Sequence, residues 1–160
     1  MKRGGKTKVA VGMATGYGAA LWALIFALLH VVWAAGWYVG LPAEKAREAF
    51  QKTWFLVYDL IVAGICAVAV LLALALTQQW GQRLPIRFLI FVGWTTAIVL
   101  ALRGIAGVIK IAYLGITGED IANPLFLWDF WFCLGAALFG LRSWNFQRLS
   151  INATSNTERL

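Results

Sequence analysis

Residues 54–76 read WFLVYDLIVAGICAVAVLLALAL, an unbroken apolar run with Asp59 as its one charged side chain. A helix needs about 20 apolar residues to cross ~30 Å of hydrocarbon at ~1.5 Å per residue, and this run supplies them. Windows of similar character lie at 13–38, 86–109 and 125–141. With 61% of the 160 residues hydrophobic and only 13% charged, there is too little polar material to coat a soluble domain. Lipid cannot satisfy backbone N–H and C=O groups, so each window is expected to be a helix. The expected fold class is all-α, a polytopic four-transmembrane-helix bundle: a basic arm over 1–12, the helical domain over 13–141, and a partly disordered polar tail over 142–160.

Orientation follows from the basic residues. Lys2, Arg3, Lys6, Lys8, Arg83, Arg87, Arg142, Arg148 and Arg159 fall on one side of such a bundle, against Lys45, Arg47, Lys52 and Lys110 on the other. Positive residues favour the cytoplasm, which puts both termini there and predicts a multi-pass protein of the inner (plasma) membrane. The net charge of +7 then reads as a topology signal and a contact for anionic headgroups at the cytoplasmic face, not as a nucleic-acid surface. The basic start suits a signal peptide, but the apolar run behind it far exceeds the core of one.

The connections are short. Ala43 to Phe50 suits a helix lying on the membrane surface, Thr77 to Pro85 is a polar turn, and Tyr113 to Pro124 carries turn residues. Nine tryptophans are present, of which Trp37, Trp54, Trp80, Trp128 and Trp144 fall at window ends, where an indole keeps its ring in lipid and its N–H in water. Trp33 and Trp94 lie deeper. Gly12 with Gly16, Gly36 with Gly40, and Gly104 with Gly107 are spaced to let helices approach closely within the chain, with a homo-oligomer or a larger membrane complex as the other use.

Each window holds one polar group of functional interest: His30, Asp59, Arg103 and Asp129. Counted from the outer ends, all four lie roughly 7 to 11 Å deep, late in the first and third windows and early in the second and fourth. Charges at such depth turn inward and pair. Arg103 is expected to bridge Asp59 and Asp129, since a guanidinium holds one carboxylate through two hydrogen bonds and has donors left for another. His30 is expected to share a face with Trp33 and Trp37, which would form an aromatic wall. Three uses fit. The residues form an ion network that fixes which helix faces which, or a proton- or ligand-responsive site, because a histidine beside carboxylates titrates. A metal site has the right ligand types but an opposing Arg103.

Bis-histidine haem needs a second histidine. Cys66 and Cys133 lack the spacing of a redox or zinc motif and read as reduced thiols. Phosphate-binding glycine loops, nucleophile elbows and zinc-protease motifs are missing, and no cofactor is expected.

Leu29-His30-Val31-Val32-Trp33-Ala34-Ala35-Gly36, Leu102-Arg103-Gly104-Ile105-Ala106-Gly107 and Trp128-Asp129-Phe130-Trp131-Phe132-Cys133-Leu134-Gly135 carry a resemblance. Over roughly residues 20–141 the chain resembles a family of small bacterial four-helix membrane proteins classified as a domain of unknown function. Some of its members have a proline after the aspartate of the last helix, where this chain has Phe130-Trp131-Phe132-Cys133. The resemblance implies the fold and supports the choice of His30, Arg103 and Asp129; it implies no reaction. The chain therefore reads first as a non-enzymatic membrane protein, structural or sensing protons or a small ligand at the polar layer. The alternatives are a transporter or channel subunit using Asp59 or Asp129, and a quinone- or lipid-linked accessory to an enzyme.

Overall fold

The computed structural model describes residues 3–117 and 126–157. The described residues are helical: α1 (Arg3–Ala34), α2 (Ala43–Phe50), α3 (Thr53–Thr77), a 3-10 turn (Gln79–Arg83), α4 (Ile86–Thr117) and α5 (Phe126–Thr157), with no strand among them. Three of these, from Val11 to Ala34, Thr53 to Thr77 and Ile86 to Thr117, are long and apolar enough to cross a membrane. By their length and composition these helices are compatible with a membrane protein. Of the connection expected from Tyr113 to Pro124, Tyr113–Thr117 are instead the last residues of α4, and the rest lies outside the described residues.

The distribution of side chains fits a lipid solvent. Leu21, Leu24, Leu28 and Val31 on α1, Ile61, Ile65 and Val68 on α3, and Phe91, Ile98, Leu102 and Ile109 on α4 all face outward. Inside are small residues and rings: Ala19, Ala23, Ala73 and Phe139 are fully buried. When both lipid and interior are apolar, burial of apolar area no longer distinguishes them, and close packing of small residues holds helices together.

The helices form two antiparallel hairpins, α1 with α3 and α4 with α5, joined mainly where α1 meets α5. The buried face of α1 recurs every three or four positions, through Gly12, Gly16, Ala19, Ala23, Phe26, His30 and Trp33. Along the seam Trp22 stacks on Trp131 at 5.8 Å between ring centroids and meets Phe139 edge-on at 6.3 Å. Its indole N–H donates to the Trp131 carbonyl at 2.9 Å. A methyl group on Gly135 would overlap the Trp22 ring, so this glycine is what admits the indole.

Four boundaries differ from expectation, one of them in α4, which runs on to Thr117 rather than ending at 109, with no proline before Pro124 to stop it. α1 ends at Ala34 rather than 38, because Gly36 and Gly40 take positive φ values of 91° and 73° that no helix continues through. These two glycines therefore shape a turn instead of a helix contact. At the other end the helix takes in the basic arm from Arg3. α5 continues past residue 141 to Thr157, with no proline or glycine after Gly140 to stop it.

That extension changes the place of Arg142. Expected in a cytoplasmic tail, it is buried within α5. Its Nη2 donates to the Leu76 carbonyl and its Nε to Thr77 Oγ1 at 3.2 Å. The carbonyl end of a helix has unpaired acceptors and a partial negative charge, and a guanidinium answers both. Gly12 and Gly16 of α1 make the room: a methyl on Gly16 would collide with Thr77 and press on the Arg142 side chain. The start of α1, the end of α3 and the later part of α5 thus share one end of the molecule.

Candidate functional site

His30, Asp59, Arg103 and Asp129 all lie toward the opposite end, in two pairs rather than one cluster. His30 sits in the last turns of α1 and meets Asp59, in the second turn of α3, with Nδ1 2.6 Å from Oδ1. Arg103 on α4 donates through Nη1 to Asp129 Oδ1 of α5 at 2.5 Å. The expected bridge from Arg103 to Asp59 is not made. Rings stand between the pairs: the Arg103 guanidinium lies 4.9 Å from the centroid of Phe132, Phe132 meets Phe26 at 5.4 Å, and Phe26 meets His30 at 4.8 Å. Each pair therefore ties the two helices of its own hairpin, and the seam between hairpins is aromatic.

The pairs differ in environment. His30 and Asp59 are both buried, at 8% and 3% exposure. His30 Nε2 and Asp59 Oδ2 are buried without a hydrogen-bond partner among the described residues. Asp129 is buried too, but its partner Arg103 has 53% of its side chain exposed. Helices α4 and α5 approach closely there because of Gly104 and Gly107. A methyl on Gly107 would fall inside the Asp129 carboxylate, and one on Gly104 would strike Cys133. The spacing of these glycines was legible as a contact, and its purpose is to admit the acid.

The aromatic wall is real on one side only. Trp33 meets His30 edge-on at 4.8 Å. Trp37 is 73% exposed, because the helix that would have carried it round to His30 has ended. Its place is taken by Trp128, which packs on Trp33 at 5.3 Å and on Phe26 at 5.9 Å. Trp128 was expected to be an interfacial anchor. Its ring instead packs against Phe26 and Trp33, and its N–H donates to the Gly40 carbonyl at 3.2 Å. Trp22 and Trp131 carry no functional signal in the sequence; their importance comes from facing each other across the seam. Trp94 binds Gln147 Oε1 at 3.2 Å near the opposite end and has no part in the site.

Chemically, His30 and Asp59 form an oriented dyad. With Asp59 ionised, Nδ1 carries the hydrogen of the short contact and Nε2 keeps a lone pair. A proton taken up at Nε2 turns a singly negative pair into a neutral ion pair and Nε2 from acceptor into donor. Arg103 offers no such change, since a guanidinium stays charged. Among the described residues no three His, Cys, Asp or Glu side chains converge, so the dyad presents two metal donors and not a ligand set.

A family model described as "Protein of unknown function (DUF3995)" matches residues 23–142. The matched stretch holds all four ionisable residues, Trp33, Trp128 and, as its last position, Arg142. No curated protein and no solved structure matches the chain.

Proposed function

The chain belongs to this family of unknown function, whose description assigns no activity, and from its residues we propose a non-enzymatic integral membrane protein in which His30 and Asp59 form a proton-responsive latch between α1 and α3. Arg103 and Asp129 are the permanent counterpart, a clasp that holds α4 to α5. The observation that carries the reading is the dyad itself: two groups, each more than nine-tenths buried, with one nitrogen and one oxygen left unpaired amid rings. Unpaired buried polar atoms cost free energy, and they persist where they serve a change of state.

The setting is a four-span bundle in the inner (plasma) membrane with both ends cytoplasmic. Supporting it, α1 begins and α5 ends at the end of the molecule marked by Arg142, and basic residues concentrate there. α5 serves as the fourth span, since the stretch from Phe126 to Ser143 covers about 27 Å as a helix. The clasp is the architectural half of the same reading. Polar pairs between membrane helices fix orientation, and each pair here joins neighbours in its own hairpin.

The chain has a single histidine, which makes the test direct. In 15N-histidine-labelled protein in nanodiscs, acidification should move both ring-nitrogen signals of His30 together and change the tryptophan fluorescence. Asp59→Asn should shift that response. Ring-nitrogen signals that stay fixed from neutral to acidic pH, in protein that remains folded, overturn the latch.

A further inference from the structure

Two indoles connect the turn from Ala35 to Pro42 with the dyad. Trp33 touches His30 with its ring and donates from Nε1 to the Val39 carbonyl at 2.9 Å. Trp128 packs on Trp33 and donates to the Gly40 carbonyl at 3.2 Å. Leu41 of the turn and, beyond it, Phe50 rest on the buried group of Phe26, Ala27, Trp33 and Cys66. Ala35, Gly36, Trp37, Val39 and Gly40 are exposed. Backbone hydrogen bonds from Ala35, Gly36 and Trp37 to the Val31, Trp33 and Val32 carbonyls root the turn on α1 at its start, and its later part is held by those side-chain contacts. Gly36 and Gly40, at φ 91° and 73°, mark its two ends.

We infer that residues 35–42 form a hinged strap that gates access to His30 Nε2, with the Trp33 and Trp128 indoles as its fasteners. This rests on the latch reading, because a dyad that changes its proton needs a route to water. Three facts support it. The unpaired Nε2 is sealed from solvent in the closed form. Trp33, whose ring meets the imidazole edge-on at 4.8 Å, is the same residue that grips the strap. The two ends of the strap are residues with no side chain to resist a change of backbone angle. Lifting residues 35–42 releases both carbonyls, frees the Trp33 indole and opens the imidazole to water, while the seam below, from Phe26 to Trp22, stays packed.

The test uses the single histidine as a chemical reporter. Full-length protein in nanodiscs is treated with diethyl pyrocarbonate, and acylation of His30 is followed by mass spectrometry beside thiol labelling of Cys66. Gly36→Ala and Gly40→Ala force a side chain into the left-handed region and strain the closed strap. A penalty of about 1–2 kcal/mol there should speed His30 acylation by about 5–30-fold. Cys66, buried deeper in α3, should stay protected. Gly64→Ala, at an open helical position, should change neither rate. The strap is overturned if both turn variants acylate at the wild-type rate. It is equally overturned if His30 and Cys66 become reactive together, which is global loosening. An acid response of His30 that persists with unchanged acylation removes the strap and leaves the latch standing; strap-dependent acylation without an acid response does the reverse.

Discussion

The two hairpins are closed by the same device, a base on the first helix and an aspartate early in the second, yet the bases differ in chemistry and in surroundings. In α1 and α3 the base is an imidazole, sealed among Phe26 and Trp33. In α4 and α5 it is a guanidinium lying half outside the protein against Phe132. A guanidinium at the edge of the bundle can extend its remaining donors toward polar headgroups, as long basic side chains do in membranes. An imidazole has no such reach and must be satisfied where it stands. One plan of construction therefore yields a joint whose base stays charged and, on the reading proposed above, a joint whose charge follows a proton. The comparison also says where to look for change, since any movement keyed to acid would part α1 from α3 before it parts α4 from α5.

The largest effect should come from breaking the permanent joint. Arg103→Ala strands the buried Asp129 carboxylate and should cost about 3–5 kcal/mol, read as lost accumulation in the membrane and a lower melting temperature in detergent. Replacing both partners by leucine should restore most of the accumulation, because the pair orients helices and contributes little net stability. Next, Gly107→Ala pushes a methyl into the site of that carboxylate and should cost about 1–3 kcal/mol by overpacking. The corresponding damage to the other hairpin should be smaller. Asp59→Asn keeps a hydrogen-bonding side chain beside His30 and should cost about 1 kcal/mol in the same melting experiment, while altering the response of the ring nitrogens to acid. Smallest of all, Trp22→Phe keeps a ring in the seam and loses one hydrogen bond to the Trp131 carbonyl, about 0.5–1.5 kcal/mol. It should leave the acid response of His30 intact, which separates the seam from the latch.

That His30, Asp59, Arg103 and Asp129 lie toward one end of the molecule was legible because rise per residue is constant and successive windows alternate in direction. Their pairing was not legible. It depends on which helices are neighbours and how each is rotated, and a sequence of apolar windows with large residues on all sides has little to say about rotation. Arg103 was the natural bridge on charge alone, but Phe26 and Phe132 occupy the space such a bridge needs. Trp37 was assigned to the wall by assuming that α1 ran its full apolar length. Gly36 and Gly40 held the contrary information, since their spacing fits a helix contact and a turn equally well. Arg142 was read as a topology signal, although it lies just where the apolar stretch ends and where a neighbouring helix presents its carbonyls. The close approach at Gly104 and Gly107 was correctly anticipated from small residues in an apolar helix, and the identity of the group they admit was not.

The carbonyl end of α3 is completed by a side chain 66 positions further along the chain. A ribosome making this protein releases α1 and α3 into the bilayer well before Arg142 exists, and until then the last carbonyls of α3 depend on water or headgroups at the membrane surface. The first hairpin thus remains unfinished through most of its own biosynthesis, and its maturation waits on the final helix. Chains truncated just before residue 142 should accordingly insert yet be cleared by membrane quality control.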